Sequence, residues 1–531
     1  MSDINMWCVN IKNTMINFLK RKDSIYWILG INLVIRLVIV SSTNLGTDEV
    51  YYVLYALYPD FSYFDHPPLV GLLIRLSTFN LSFIYNDFFV RLGALIIGTV
   101  NIYLIYRIGT FIKSRTTGLI GALLLSSSFY SSIIVGTFIL PDTPLSLFWL
   151  LSILAFVHFI SNKKGYWLIL FGLTVGFALL SKYQAVFLWV GAIIYFLIYN
   201  RKTLITPKFW FSIFISILIF TPVIWWNLTS EYSGISYHSN RIGNGSWIPS
   251  FKHFFPTFLG QIFYNNPFNV FLIILSLLFL IKKGRKQIEP KIGFLLAISL
   301  PLIFITTGMS LYNKTLPHWS GPSFFALIVL VGYVFNPEEL SSKGKTFRNA
   351  IVYGQIFFFL VIALALFQIK TGILINSFND NPQKTGRNDF TIDLGLWDDI
   401  STNLKSKIAR DNNSASTPQN YVILTDNWFP ASHLDYYYAM PNKVRLYVIG
   451  ESNKQHEYMK INVLRDKIPL HSNAYYITTS QYFSPPKQDV LERFESIEKP
   501  EIIPIYKMNK HRVNLFIYKM SNLKNNLKLT Q

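Results

Sequence analysis

Cysteine is nearly missing from this 531-residue chain: Cys8 is the only one. That excludes an intramolecular disulfide and any metal site built from several thiolates. Charge is scarce too, at 14% against 51% hydrophobic and 17% aromatic residues, with a mean hydropathy of +0.34, whereas a soluble domain carries about a quarter charged residues. Glycine-rich phosphate loops, CxxC pairs and internal repeats are also lacking, so nothing points to a soluble nucleotide-sugar as substrate. What is present instead is a series of long apolar runs. The run AIVYGQIFFFLVIALALFQI at 350–369 reaches the ~20 residues that a helix needs to cross a bilayer. The chain reads as a polytopic membrane protein. Its opening stretch is polar and basic and the first apolar run is followed by others, so no cleavable signal peptide is expected.

Apolar spans are expected near 25–42, 89–106, 117–136, 144–160, 166–181, 184–199, 209–226, 267–281, 292–308, 318–335 and 350–369. Lys and Arg fall almost wholly into every second loop. One set holds Lys12, Lys20, Arg21 and Lys22, then Arg107, Lys113 and Arg115, then Lys163 and Lys164. It continues with Arg201, Lys202 and Lys208, then Lys282 to Lys291, then Lys343, Lys345 and Arg348. The intervening loops hold only Arg75, Lys182, Arg241, Lys252 and Lys314. Positive loops stay cytoplasmic, so this alternation predicts a cytoplasmic N-terminus and places residues 370–531 outside. It also accounts for the net charge of +20 without any nucleic-acid partner.

The predicted external loops carry the polar residues that a membrane chain can least afford. The first, LGTDEVYYVLYALYPD followed by FSYFDHPPL, has Asp48, Glu49, Asp65 and His66. Its segments 47–58 and 66–79 suit short interfacial helices, with tyrosines for the headgroup belt and Pro67–Pro68 opening the second. The second loop offers Asp142 in LPDTP; the third is only SKYQ, stranding Lys182 at the membrane boundary. The fourth offers His238 and Arg241, and the fifth Lys314 and His318. Ionisable groups at membrane depth cost ~2.5–3.5 kcal/mol each on insertion scales and are functional suspects. Each has a plain alternative: Asp48 and Asp142 as helix caps, Lys182 as a snorkelling side chain, the histidines as structural hydrogen-bonders, and Arg241 as a headgroup contact. Their convergence on one membrane face favours function.

The segments TDEVYY, FDHPPLVGLLIRL, LPDTPLSLFWLL, ALLSKYQAVFLW, TPVIWWNLTSEYSGISYH and PHWSGPSFFAL resemble, in order, motifs of the dolichyl-phosphate-mannose-protein mannosyltransferase superfamily. The tail segments IDLGLWDDIS and YVILTDNWFPASHLDYYYAMPNKVRLYVIG resemble the branch of the lipid A aminoarabinose transferases. The resemblance implies a GT-C fold: an all-α polytopic bundle of about 11–13 transmembrane helices over residues 1–370, and a small external α/β domain over 371–531. It implies transfer of a sugar from a polyprenyl-phosphate donor to a lipid, glycan or protein acceptor, probed at the external face of a bacterial inner membrane. Carried over, Asp48 is the catalytic base or essential carboxylate and Asp142 the second catalytic carboxylate. Glu49, Tyr63, His66, Lys182, Tyr183, Arg241 and His318 are expected to bind substrate, with Lys182 and Arg241 on the donor phosphate. Asp65 and His238 match a metal-binding pair, so a divalent ion is a possible cofactor, though none is required. His66 departs from the branch, which carries Lys there.

Past Lys370 the composition turns to Asn, Asp, Ser and Lys. Strands are expected at 421–425, 443–449, 474–479, 501–508 and 513–520, with a helix at 432–440. A flippase of lipid-linked sugars is the rival reading; it predicts polar residues near the bilayer midplane and discontinuous helices, and Arg36 is the one conspicuous basic residue inside an early span.

Overall fold

The computed structural model describes residues 17–230, 248–284, 287–335, 344–413 and 421–527. The chain divides into two units. The first comprises 1–38, 66–73 and 92–361; the second comprises 39–65, 74–91 and 362–531.

The first unit is a helical membrane bundle, and the protein is multi-pass. Among the described residues six helices are long and apolar enough to cross a membrane: Ser24–Ser42, Asp87–Ile112, Asp142–Asn162, Pro207–Thr229, Pro290–Met309 and Thr346–Thr371. The pair Phe251–Tyr264 and Pro267–Lys283, bent by 95°, makes a seventh if read as one span. Shorter apolar helices at Gly165–Leu179, Tyr183–Tyr199 and Ser323–Val334 fall where further spans were expected, which is why the count by length is smaller than the number of apolar runs.

The bend follows from Asn266, which sits at φ 68°. Its side chain accepts from the Phe268 N–H at 3.1 Å and donates to the Ser127 and Gly354 carbonyls at 3.0 and 2.9 Å. An interrupted helix in lipid survives only if its freed backbone groups are satisfied in this way. Elsewhere the helices approach through small residues, as membrane bundles do. A Cβ on Gly172 would lie 2.2 Å from the Ser212 carbonyl oxygen.

The second unit joins the expected C-terminal domain to the chain segments 39–65 and 74–91. Its six-stranded sheet runs β2-β1-β3-β6-β4, with β5 also on β6. The strands are β1 Tyr421–Thr425, β2 Leu446–Val448, β3 Asn473–Thr479, β4 Phe494–Ile497, β5 Glu501–Lys507 and β6 Lys510–Leu523. The β1 strand pairs in parallel with β2 and β3, and β6 pairs antiparallel with β3, β4 and β5. Central β1 is buried from Val422 to Thr425, in keeping with its unbroken apolar run. The expected helix at 432–440 begins earlier, as Trp428–Leu434 capped by Asn427, and continues as a wider turn over Asp435–Ala439. The Thr47–Leu57 helix, anticipated as interfacial, packs in this unit with Glu49 to Ala56 all buried.

Candidate active site

The first unit gathers a buried polar cluster around Asp142, the first residue of the Asp142–Asn162 helix. Asp142 is 2% exposed. The Lys182 ammonium donates to its Oδ2 at 2.8 Å, and the Tyr130 hydroxyl to its Oδ1 at 3.0 Å. Both oxygens are thus engaged, which a buried carboxylate requires. His318 lies within electrostatic reach of the same carboxylate and edges onto the Tyr264 ring at 6.2 Å. Two local features set this geometry. Tyr130 opens the wide helical turn Tyr130–Val135, and Gly321 leaves room for its ring: a Cβ there would lie 2.4 Å from it. The SKYQ hairpin holds Lys182 in place, and the Leu69 N–H bonds the Leu180 carbonyl at 3.1 Å. That bond ties the His66–Pro67–Pro68 segment to the Lys182 turn. His66 itself is half-buried. Tyr183 packs edge-on to Phe220 at 6.1 Å.

The second unit holds Asp48. It is exposed, whereas Glu49 to Ala56 of the same helix are buried. Glu49 serves the fold. It is 1% exposed, receives Arg91 at both oxygens (Nε–Oε1 2.7 Å, Nη2–Oε2 2.5 Å) and accepts the Gly46 N–H at 2.8 Å. This reach back to the residue before the helix is a capping-box contact. Tyr63 is also internal: it stacks on Tyr55 at 3.7 Å and its hydroxyl donates to the Tyr55 carbonyl at 2.7 Å.

Asp65 accepts from the Tyr51 hydroxyl and pairs with His456 Nδ1 at 3.2 Å. Burial pushes the Tyr51 phenol well up, and the Asp65 charge adds to this, so Tyr51 remains a donor. Next to it, burial raises the Glu457 carboxyl to about 8, although the Phe64 N–H donates to its Oε2 at 2.9 Å. His433, stacked on Trp397 at 4.3 Å with its Nε2 3.1 Å from the Leu45 carbonyl, is lowered by burial and stays neutral. Of the expected metal pair, Asp65 engages Tyr51 and His456, while His238 lies outside the described residues, as does Arg241. Among the described residues no group of three or more His, Cys, Asp or Glu is arranged to hold a metal ion.

Sequence reasoning did not single out Tyr130, Gly321 or Arg91. Tyr130 stands in an apolar run where nothing distinguishes it from the belt tyrosines, and the others act only through partners distant in sequence.

Residues 65–226 match the family model described as dolichyl-phosphate-mannose-protein mannosyltransferase. The matched mannosyltransferase segment contains Asp65, His66, Asp142, Lys182 and Tyr183. In fold the chain is similar to ArnT from Cupriavidus metallidurans. The structure bound to undecaprenyl phosphate gives a TM-score of 0.59 at 14% identity, over 94% of this chain and 98% of that one. The apo structure gives 0.57 at 13% identity, over 93% and 97%. The chain is also 23% identical over 298 residues to the lipid A galacturonosyltransferase RgtD of Rhizobium johnstonii. That match covers 54% of this chain and 60% of that protein, so the chain spans only part of this curated relative.

Proposed function

We propose that this protein is a membrane glycosyltransferase of the dolichyl-phosphate-mannose-protein mannosyltransferase family that moves a sugar from a polyprenyl-phosphate donor to an acceptor hydroxyl, with an acceptor of the lipid A class. The observation that carries the reading is the buried Asp142–Lys182–Tyr130 cluster, a cation held at fixed geometry in a bundle whose fold is that of a protein solved with undecaprenyl phosphate. In the reaction the bond between the anomeric carbon and the phosphate oxygen breaks and its electron pair stays on the phosphate. Lys182 stabilises that developing charge, a task for which a preorganised cation in a poorly hydrated site is well suited. Asp142 and Tyr130 keep the Lys182 ammonium aimed. His318 and Arg241 add to the donor site. Asp48 takes the proton from the acceptor hydroxyl as it forms the new bond to the anomeric carbon. Attack opposite the departing phosphate inverts that carbon. The N-terminus and the basic loops lie in the cytoplasm of a bacterial cell, and the C-terminal unit lies across the inner membrane from them.

The test is transfer by the reconstituted protein from radiolabelled polyprenyl-phosphate sugars to candidate lipid acceptors. Asp48→Asn should lower transfer by ~10²–10⁴-fold, the worth of a general base, with expression and thermal stability unchanged. Full activity in that variant would overturn the assignment. Movement of label across the bilayer without transfer would favour the flippase.

A further inference from the structure

Residues 43–47 lead the chain into the helix that bears Asp48, and several polar groups in this stretch are tied to the C-terminal part of the second unit. The Asn44 N–H bonds the Leu394 carbonyl at 2.8 Å, and the Asn44 amide donates to Asp398 Oδ2 at 2.7 Å. The Leu45 N–H donates to the Tyr437 hydroxyl at 2.7 Å, and the Leu45 carbonyl faces His433. The last tie is adjacent to Asp48 itself. Thr47 Oγ1 donates to Asp393 Oδ2 at 3.0 Å, and the Tyr482 hydroxyl donates to the same oxygen at 2.8 Å. Tyr482 lies within electrostatic reach of both Asp393 and Asp48, and its phenol is pushed up by burial and then by Asp393, which keeps it a donor.

We infer that Asp393 and Tyr482 are positioning residues of the transfer reaction: together they hold Thr47 and through it aim the Asp48 carboxylate. The inference rests on the reading of Asp48 as the base. One feature separates this arrangement from ordinary packing: Asp393 Oδ1 is buried and has no partner among the described residues, and leaving a charged acceptor bare costs stability. A residue that only braces the fold does not need it. The C-terminal part of the second unit thereby takes part in positioning the base.

Four substitutions in the full-length reconstituted protein test the tether. Thr47→Val, an isosteric change, removes the tether alone. It should lower kcat by ~10–100-fold, the cost of a small misplacement of a reacting group, with the donor KM within about twofold of the parent. Thr47→Ser should restore kcat. Tyr482→Phe removes the cross-brace and should lower kcat in the same direction by less. Asp393→Ala removes the oxygen that accepts both hydroxyls and should lower kcat at least as far as Thr47→Val. The inference is overturned if Thr47→Val keeps its kcat, if Thr47→Ser fails to rescue it, or if Asp393→Ala keeps the parent kcat. An active Asp48→Asn would instead remove the reading beneath it, so that failure is told apart from these.

Discussion

Arg91 grips Glu49 along one edge of its guanidinium, Nε to Oε1 at 2.7 Å and Nη2 to Oε2 at 2.5 Å, with both side chains almost wholly buried. The rest of the guanidinium donates to the Thr43 carbonyl and hydroxyl and to the Asn44 carbonyl. One cation thus fastens the stretch leading to Asp48. Removing one partner of such a pair strands a buried charge. We expect Arg91→Met to cost ~3–5 kcal/mol, read as a large fall in the detergent melting temperature. Arg91→Lys should recover little, since a lysine cannot span both carboxylate oxygens. Glu49→Gln combined with Arg91→Met should be less harmful than Arg91→Met alone.

Lys182 and Tyr130 both spend their polar atoms on Asp142. Tyr130→Phe keeps the ring and loses one bond to a charged acceptor, worth ~1.5–3 kcal/mol, and transfer should fall by about tenfold or more while the protein still folds. Gly321→Ala should reproduce that loss, because its Cβ would meet the Tyr130 ring at 2.4 Å. Lys182→Ala should abolish transfer. Transfer assays and melting curves run side by side check all three, and a fully active Gly321→Ala would show that the Tyr130 ring has freedom to move.

Glu457 makes stability depend on pH. Burial raises its carboxyl from 4.5 to about 8, so between those values the folded protein holds a proton that the unfolded chain has released. Stability from this group is therefore greatest below about pH 4.5, falls as pH rises through the window, and changes no further above about 8. Each unit of displacement is worth about 1.4 kcal/mol, so the slope is large enough to measure. Glu457→Gln, which can still accept the Phe64 N–H, should flatten the melting temperature between pH 5 and 8 and raise it most at the alkaline end. An unchanged slope in that variant would contradict the assignment.

Arg36 fills a slot between two glycines. A Cβ on Gly98 would lie 2.6 Å from its Nη1 and one on Gly136 2.8 Å from its Cζ, yet its Nε and Nη1 are buried without partners among the described residues. A well-packed apolar side chain commonly stabilises a site of this kind relative to a buried charge, so Arg36→Met should raise the melting temperature. Gly98→Ala should lower it, since there the clash is with backbone as well as with Arg36: Gly136 Cα is 2.5 Å away. A lower melting temperature for Arg36→Met would mean that the guanidinium is compensated in some other way.

Much of this architecture was legible in the sequence, for a reason that is physical and local. A bilayer demands long apolar runs and a sheet demands short ones rich in β-branched and aromatic residues, so both kinds of element declare themselves residue by residue. YVILT at 421–425 became β1 to the residue, and Asp142 opens its helix where the proline-flanked acid suggested. Its pairing with Lys182 was foreshadowed only as convergence on one face.

Partners that lie far apart in sequence leave no such trace. Nothing in FSYFDHPPL states that Asp65 pairs with His456, that Tyr63 is spent on Tyr55, or that Glu49 belongs to Arg91. Nor does the apolar run around Tyr130 single out the ring that reaches Asp142. The segments 39–65 and 74–91 fold with residues 362–531, and only that association decides which carboxylate is buried against a cation and which, Asp48, stays exposed. Composition and periodicity set what each segment can become, because they act through its own solvent preference. The choice of partner is a matter of long-range packing and desolvation, and those exist only once the chain has closed on itself.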